Sequence, residues 1–218
     1  MHQITFSFDS NDRYDPSEFI ESSSNHLAFK TLTSWPPETW GVEPYAKTLI
    51  LRGPKSSGKT YLAKKWSLNS GALFLKKAHQ LTEALLSHHK TFVIDGFDNS
   101  WNEEKVLHQF NSIHESNKYL LITTTQVPKL TLPDLASRIN ATNILDIDFP
   151  DDNLVSMLIF KLFSNFSVVV NKEVISYLIN ILPREFPEII NAVQKINDYA
   201  IEHKRKITVP LVKLALNT

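Results

Sequence analysis

The eight residues Gly53-Pro54-Lys55-Ser56-Ser57-Gly58-Lys59-Thr60 carry the spacing GxxxxGK[ST]. They follow an apolar stretch, Thr48 to Leu51, and open a segment of helical character from Lys59 to about Leu68. In that context the chemistry is phosphate binding. Backbone N–H groups of a tight loop and of a first helical turn converge on an anion. Gly53, Pro54, Lys55, Ser56, Ser57 and Gly58 would form the cradle, the Lys59 ammonium would reach the terminal phosphates, and the Thr60 hydroxyl would ligate magnesium. The bland alternative for the same spacing is a tight turn that holds no ligand.

A second acid-bearing stretch, "KTFVIDGFD" from Lys90 to Asp98, reads as an apolar strand running into Asp95. An aspartate at the end of such a strand, facing the loop, organises magnesium, so Thr60 and Asp95 are the metal candidates. An ATPase carries a further acid at the next position to activate water. Here that position is Gly96, and Asp98 reaches the site only if the chain curls back. Holding a nucleotide does not need the missing acid, whereas fast hydrolysis does. Thr125 or Gln126, at the end of the following apolar strand, are candidates for positioning water. The eight histidines, among them His88, His89, His108 and His114, show no metal-ligand spacing of the HExxH kind.

The elements that must position these residues can be read from apolar runs. Runs at 48–51, 72–75, 90–95, 118–125 and 143–149 alternate with helical segments. Strands that are continuously apolar and separated by helices predict a five-stranded parallel sheet covered on both faces, an α/β fold of the P-loop type. After Pro150 no strand pattern recurs. Helices are expected from Asp151 to about Phe163, from Asn171 to before Pro183, from Phe186 to about His203 and from near Pro210. The expected organisation is an N-terminal segment and tether over 1–23, an αβα nucleotide-binding core over 24–150 and an all-helical lid over 151–218. Ser24-Asn25 is expected to cap a short helix that Pro36-Pro37 ends.

Composition limits the rest. The 218 residues contain no cysteine, and Lys+Arg equals Asp+Glu at 23 each. Disulfides and thiolate chemistry are excluded, and no global charge draws the chain to nucleic acid or an anionic membrane. No apolar run approaches the ~18 residues of a membrane span, and no signal-peptide pattern opens the chain, so a cytoplasmic location is expected. The run His203-Lys204-Arg205-Lys206 suits the C-terminal end of a helix; the alternative is a contact with DNA or with a partner protein. In Gln3-Ile4-Thr5-Phe6-Ser7-Phe8, Ile4, Phe6 and Phe8 alternate with polar residues. That fits either a strand with one apolar face or an extended peptide whose anchors dock on a partner.

The loop, the Asp95 strand, "ITTTQVP" at 122–128, "LPDLASRI" at 132–139, "SSSN" at 22–25 and the terminal "KRKITVPLVKLAL" resemble the AAA+ module of the DnaA/Hda family. The resemblance covers nearly the whole chain and is stronger to the short Hda-like members than to the initiators. It implies a five-stranded core with a helical lid, ATP or ADP with Mg2+ as ligands, and Asn25 on the adenine side. It also implies that Arg138 reaches a neighbouring subunit's nucleotide, and that Gln3, Ile4, Phe6 and Phe8 bind the DNA polymerase sliding clamp. The implied partners are that clamp and the DnaA initiator, with DNA met indirectly or weakly and self-association left open. The implied function is regulation of replication initiation by stimulating hydrolysis of initiator-bound ATP. A stand-alone ATPase and a DNA-associated scaffold or loader are the alternatives. The chain departs from the family pattern at Gly96, at the lid arginine, where Pro187 stands with Arg184 one turn upstream, and in the adenine-side motif, whose glycine is replaced.

Overall fold

The structure, a computed structural model, describes residues 19–37, 40–75 and 81–218. The clamp-binding candidates Gln3, Ile4, Phe6 and Phe8 lie outside them.

Five strands, β1 (Thr48–Arg52), β2 (Leu73–Leu75), β3 (Thr91–Ile94), β4 (Tyr119–Thr124) and β5 (Asn143–Asp146), form one sheet in the order β2-β3-β4-β1-β5. Every pairing is parallel. The chain leaves β1, crosses to the far edge at β2, and returns through β3 and β4 to lie beside β1. This order brings the carboxyl ends of β1, β3 and β4 together, and that is where open parallel sheets bind ligands.

Side chains alternate across the strands, so each strand feeds two cores. Ile50, Phe92, Ile94, Leu120 and Ile122 pack with Phe110 and Ile113 of α4 (Glu103–Glu115) and with Leu135 and Ile139 of α5 (Pro133–Ala141). Leu49, Leu51, Val93 and Leu121 face Leu32 of α1 (His26–Thr33) and Leu62 and Trp66 of α2 (Lys59–Ser70). Each such side chain contributes roughly 1.5–3 kcal/mol when fully buried. The continuous apolar runs in the sequence are therefore the mark of a sheet buried on both sides.

Beyond Pro150 the elements are all helical: α6 (Asp152–Asn165), α7 (Lys172–Ile181), α8 (Phe186–Glu202) and α9 (Val209–Leu216). Ile189, Val193, Ile196 and Ala200 of α8 recur at helical spacing and meet Ile159, Phe163, Leu178 and Leu211 in a separate core. The order of elements follows the sequence expectation; the ends are set by local bonds. Helix α2 runs on to Ser70 because Gly71, at φ +69°, supplies the left-handed cap. Helix α4 begins at Glu103 rather than near Trp101 because the Asn102 carboxamide accepts the Lys105 N–H at 2.9 Å. Between β2 and β3 the described helix is α3 (Glu83–His88), capped by Thr82.

Asn25 precedes α1, as expected, yet its side chain does not cap the helix. Its oxygen accepts the Ser22 N–H at 2.9 Å and its amide donates to the Ile20 carbonyl at 2.9 Å, so it pins the entering chain instead. Among the described residues, no helix is long and apolar enough to cross a membrane.

Candidate functional site

The Gly53–Thr60 loop leaves β1 and enters α2 at the junction of the two cores. Gly53 donates to the Thr124 carbonyl at 3.2 Å, which ties the loop to β4. A Cβ on Gly53 would lie 2.9 Å from the Ile147 side chain and backbone oxygen, so no larger residue fits. Gly58 sits at φ +91° as the N-cap of α2. Ser56 holds φ +63° without being glycine, a conformation costing roughly 1–3 kcal/mol that the rest of the loop must over-determine. The Ser57 hydroxyl is buried and has no hydrogen-bond partner among the described residues. A tight loop with a strained centre and an orphaned buried hydroxyl fits a group that brings its own hydrogen bonds.

Lys59 is folded back on this loop. Its ammonium donates to the carbonyls of Gly53 at 2.8 Å and Pro54 at 2.7 Å. Burial pushes its pKa down from the ordinary lysine value, and the Asp95 charge opposes that shift. Beside it, the Thr60 hydroxyl lies 3.1 and 3.0 Å from the two Asp95 carboxylate oxygens. The Thr123 hydroxyl donates to the same carboxylate at 2.6 Å and accepts the Gly96 N–H at 2.9 Å. A hydroxyl and a carboxylate side by side form the all-oxygen donor set that magnesium takes, with phosphates and water completing its shell. Among the described residues, no group of three or more His, Asp or Glu side chains is placed to hold a metal without such help.

Thr123 went unrecognised in the sequence. Three consecutive threonines cannot be told apart there, and only the pairing of β3 with β4, which sets Ile94 beside Ile122, brings Thr123 to Asp95. Thr125 and Gln126 lie exposed beyond the strand end. Gly96 has φ +71°, and a Cβ on it would meet nothing within 4 Å. Glycine stands there for its backbone conformation, not for want of room. Asp98 is engaged locally. Its carboxylate accepts the Ser100 N–H at 2.8 Å and the Ser100 hydroxyl, closing a local turn.

Next to the loop opens a cavity of about 190 Å³ lined by Phe19, Asn25, Tyr61, Leu158, Leu162 and Phe186, among others. Phe19 stacks on Phe29 and on Tyr61, each at 5.3 Å between ring centroids, and a Cβ on Gly58 would lie 2.8 Å from its ring. This volume is below the roughly 300 Å³ at which closed sites for whole ligands begin. Its apolar, ring-bearing walls suit one flat ring system. The structure therefore places Asn25 at this cavity, although both ends of its amide are engaged with Ile20 and Ser22. Arg184 is not among the lining residues; its guanidinium pairs with Asp152 at 2.6 Å. Phe186, just before the Pro187 that stands at the expected arginine position, lines the cavity with its ring.

Arg138 lies on α5, away from the loop in its bonding. Its Nε donates to the Asn111 side-chain oxygen at 2.7 Å and its Nη1 to the Asp134 carbonyl at 3.1 Å. The segment entering α5 is held in turn by Glu103. That carboxylate accepts the Thr131 N–H at 3.0 Å, the Leu132 N–H at 2.7 Å and the Thr131 hydroxyl at 3.0 Å. These backbone bonds hold the Glu103 pKa below the usual carboxylate value.

A five-stranded parallel sheet with a glycine-rich loop after its first strand, an acid after its third, and a helical lid after its last is the architecture of the AAA+ fold. Residues 165–216 match the family model described as the lid domain of Hda. The chromosomal replication initiator DnaA of Wolinella succinogenes is 27% identical over 117 residues, covering 52% of this chain and 27% of that protein. The DnaA of Buchnera aphidicola subsp. Cinara cedri is 23% identical over 250 aligned positions, covering 99% of this chain and 55% of that protein. The chain thus spans between about a quarter and about half of the length of these initiators. The crystal structure of domain III of Thermotoga maritima DnaA superposes with a TM-score of 0.72 at 15% identity, covering 95% of this chain and 97% of that one. The chain is thus similar to the DnaA initiators and, over its C-terminal helices, to the Hda lid domain.

Proposed function

We propose that this chain regulates the initiation of chromosomal replication by docking on the DNA polymerase sliding clamp and promoting hydrolysis of ATP held by the DnaA initiator. The observation that carries this reading is Gly96. The pair that would hold magnesium, Thr60 and Asp95, is present and bonded, while the adjoining position has a left-handed backbone and no side chain. Such a site suits retention of ADP or ATP more than its turnover. Lys59 would leave the Gly53 and Pro54 carbonyls to meet the phosphates, the loop N–H groups would cradle them, and the ring-lined cavity beside Asn25 would take the base. Bound Mg2+ would neutralise phosphate charge at Thr60 and Asp95.

The reaction itself is assigned to the partner's nucleotide. Arg138 is anchored through Nε and Nη1, which leaves Nη2 without a hydrogen-bond partner among the described residues. A planar, permanently charged donor held in this way suits the charge that develops on a transferring phosphoryl group. Arginines supplied across an interface are worth about 10³–10⁵ in rate. Gln3, Ile4, Phe6 and Phe8 supply the clamp contact, with Ile4, Phe6 and Phe8 as the apolar anchors of an extended peptide.

The test of the docking half is binding of the full chain to the sliding clamp of its own organism, compared with Gln3→Ala/Phe8→Ala. Micromolar binding that the double substitution abolishes is expected. Equal binding by both proteins, or none by either, would refute it.

A further inference from the structure

A second concave surface lies in the helical part of the chain, apart from the nucleotide site. It is a cleft of about 650 Å³ between the segment joining α6 to α7, the end of α8 and the segment leading to α9. Its walls have two characters. Val169 is 91% exposed and Ile201 58% exposed. Lys204, Arg205 and Lys206 line the same cleft. All three are exposed, and none forms an ion pair with a described residue.

The backbone turns sharply at these cations. Helix α8 closes with Lys204 N–H donating to the Ile201 carbonyl and Arg205 N–H to the Ala200 carbonyl at 3.0 Å. This places Lys204 at φ +52°, where glycine is the favoured residue. The chain's formal net charge is zero, so the three cations form a local concentration of positive charge. The floor adds a third feature. Asn197 is 4% exposed and lines the cleft, yet its amide makes no hydrogen bond with any described residue. A nearly buried carboxamide carries a donor and an acceptor that match the N–H and C=O of an extended peptide.

We infer that this cleft binds an acidic, extended segment of another protein, with an aliphatic side chain seated against Val169 and Ile201 and its carboxylates facing Lys204, Arg205 and Lys206. Charge complementarity selects the sign of the occupant, and the apolar wall with Asn197 selects peptide over nucleic acid. Strands of nucleic acid held without pairing are gripped by stacking on aromatic rings, and none of the described residues lining the cleft is aromatic. This surface makes no use of Arg138 or the loop, so it stands or falls separately from the proposed function.

The test is fluorescence anisotropy of the full chain with three labelled probes: a short peptide of alternating glutamate and leucine, the same peptide with lysine for glutamate, and single-stranded oligothymidylate. The acidic peptide is expected to bind, and to weaken about tenfold or more in Lys204→Glu/Arg205→Glu/Lys206→Glu and severalfold in Val169→Asp. Lys204→Gly is the control for folding: glycine suits the left-handed turn, so Tm is not lowered, while the lost charge weakens peptide binding. Acidic-peptide binding unchanged in the triple variant, absent in the wild type, or exceeded by oligothymidylate would overturn the inference.

Discussion

Lys59 shows how one side chain can serve two states of the same loop. Its ammonium closes the loop onto the Gly53 and Pro54 carbonyls, and a phosphate would have to draw it away. Its depressed pKa reflects burial that a bound anion would compensate. Lys59→Ala should therefore lower affinity for a fluorescent ADP analogue by at least about tenfold, as charge-assisted hydrogen bonds to phosphate go unmade, with far-UV circular dichroism unchanged. Undiminished affinity would remove the lysine from the site. The same variant separates the ATPase alternative. If isolated wild type releases phosphate steadily and Lys59→Ala does not, Gly96 has not silenced the chain's own site. At this scale the sequence was legible where spacing defines the motif, at Gly53 to Thr60 and Asp95. It was not legible at Thr123, whose role depends on strand register, or at Asn25, whose amide bonds backward rather than into α1.

Helix α5 carries the residue assigned to act on a partner, and two side chains of α4 hold it. Glu103 binds the turn before α5 from one end, and Asn111 binds the Arg138 Nε from the other. Asn111→Ala should lower stimulation of the partner's hydrolysis severalfold while leaving clamp binding intact, which distinguishes loss of aim from loss of fold. Glu103 adds a pH dependence. Its folded pKa lies below its unfolded value, so its contribution is complete above the unfolded pKa of about 4.3 and is lost as pH falls through the folded pKa. Glu103→Gln should therefore flatten the acid limb of a Tm-against-pH profile. An acid limb identical to wild type would show that the Thr131 and Leu132 contacts do not hold α5. Element types followed from apolar periodicity, because buried strands and amphipathic helices differ in repeat. Element ends did not, since Gly71, Asn102 and Thr82 decide them through single hydrogen bonds.

The whole molecule joins a sheet whose loops gather on one edge to a helical bundle with its own core. The ring-lined cavity draws walls from both, with Phe19 and Tyr61 on one side and Leu158, Leu162 and Phe186 on the other. Binding a base there would couple the attitude of the bundle to nucleotide occupancy. The shared wall was not visible in the sequence, where Phe19 and Phe186 are 167 positions apart. The division of labour proposed here gives the loop to retention, α5 to the partner's reaction and the first residues to the clamp. Its most direct test is the rate of hydrolysis of DnaA-bound ATP in the presence of DNA-loaded clamp, with wild type compared against Arg138→Ala. Wild type should accelerate hydrolysis well above the initiator alone, and Arg138→Ala should return it to that basal rate while still binding the clamp. Equal acceleration by the two proteins would contradict the assignment of Arg138 and, with it, the role proposed for this chain.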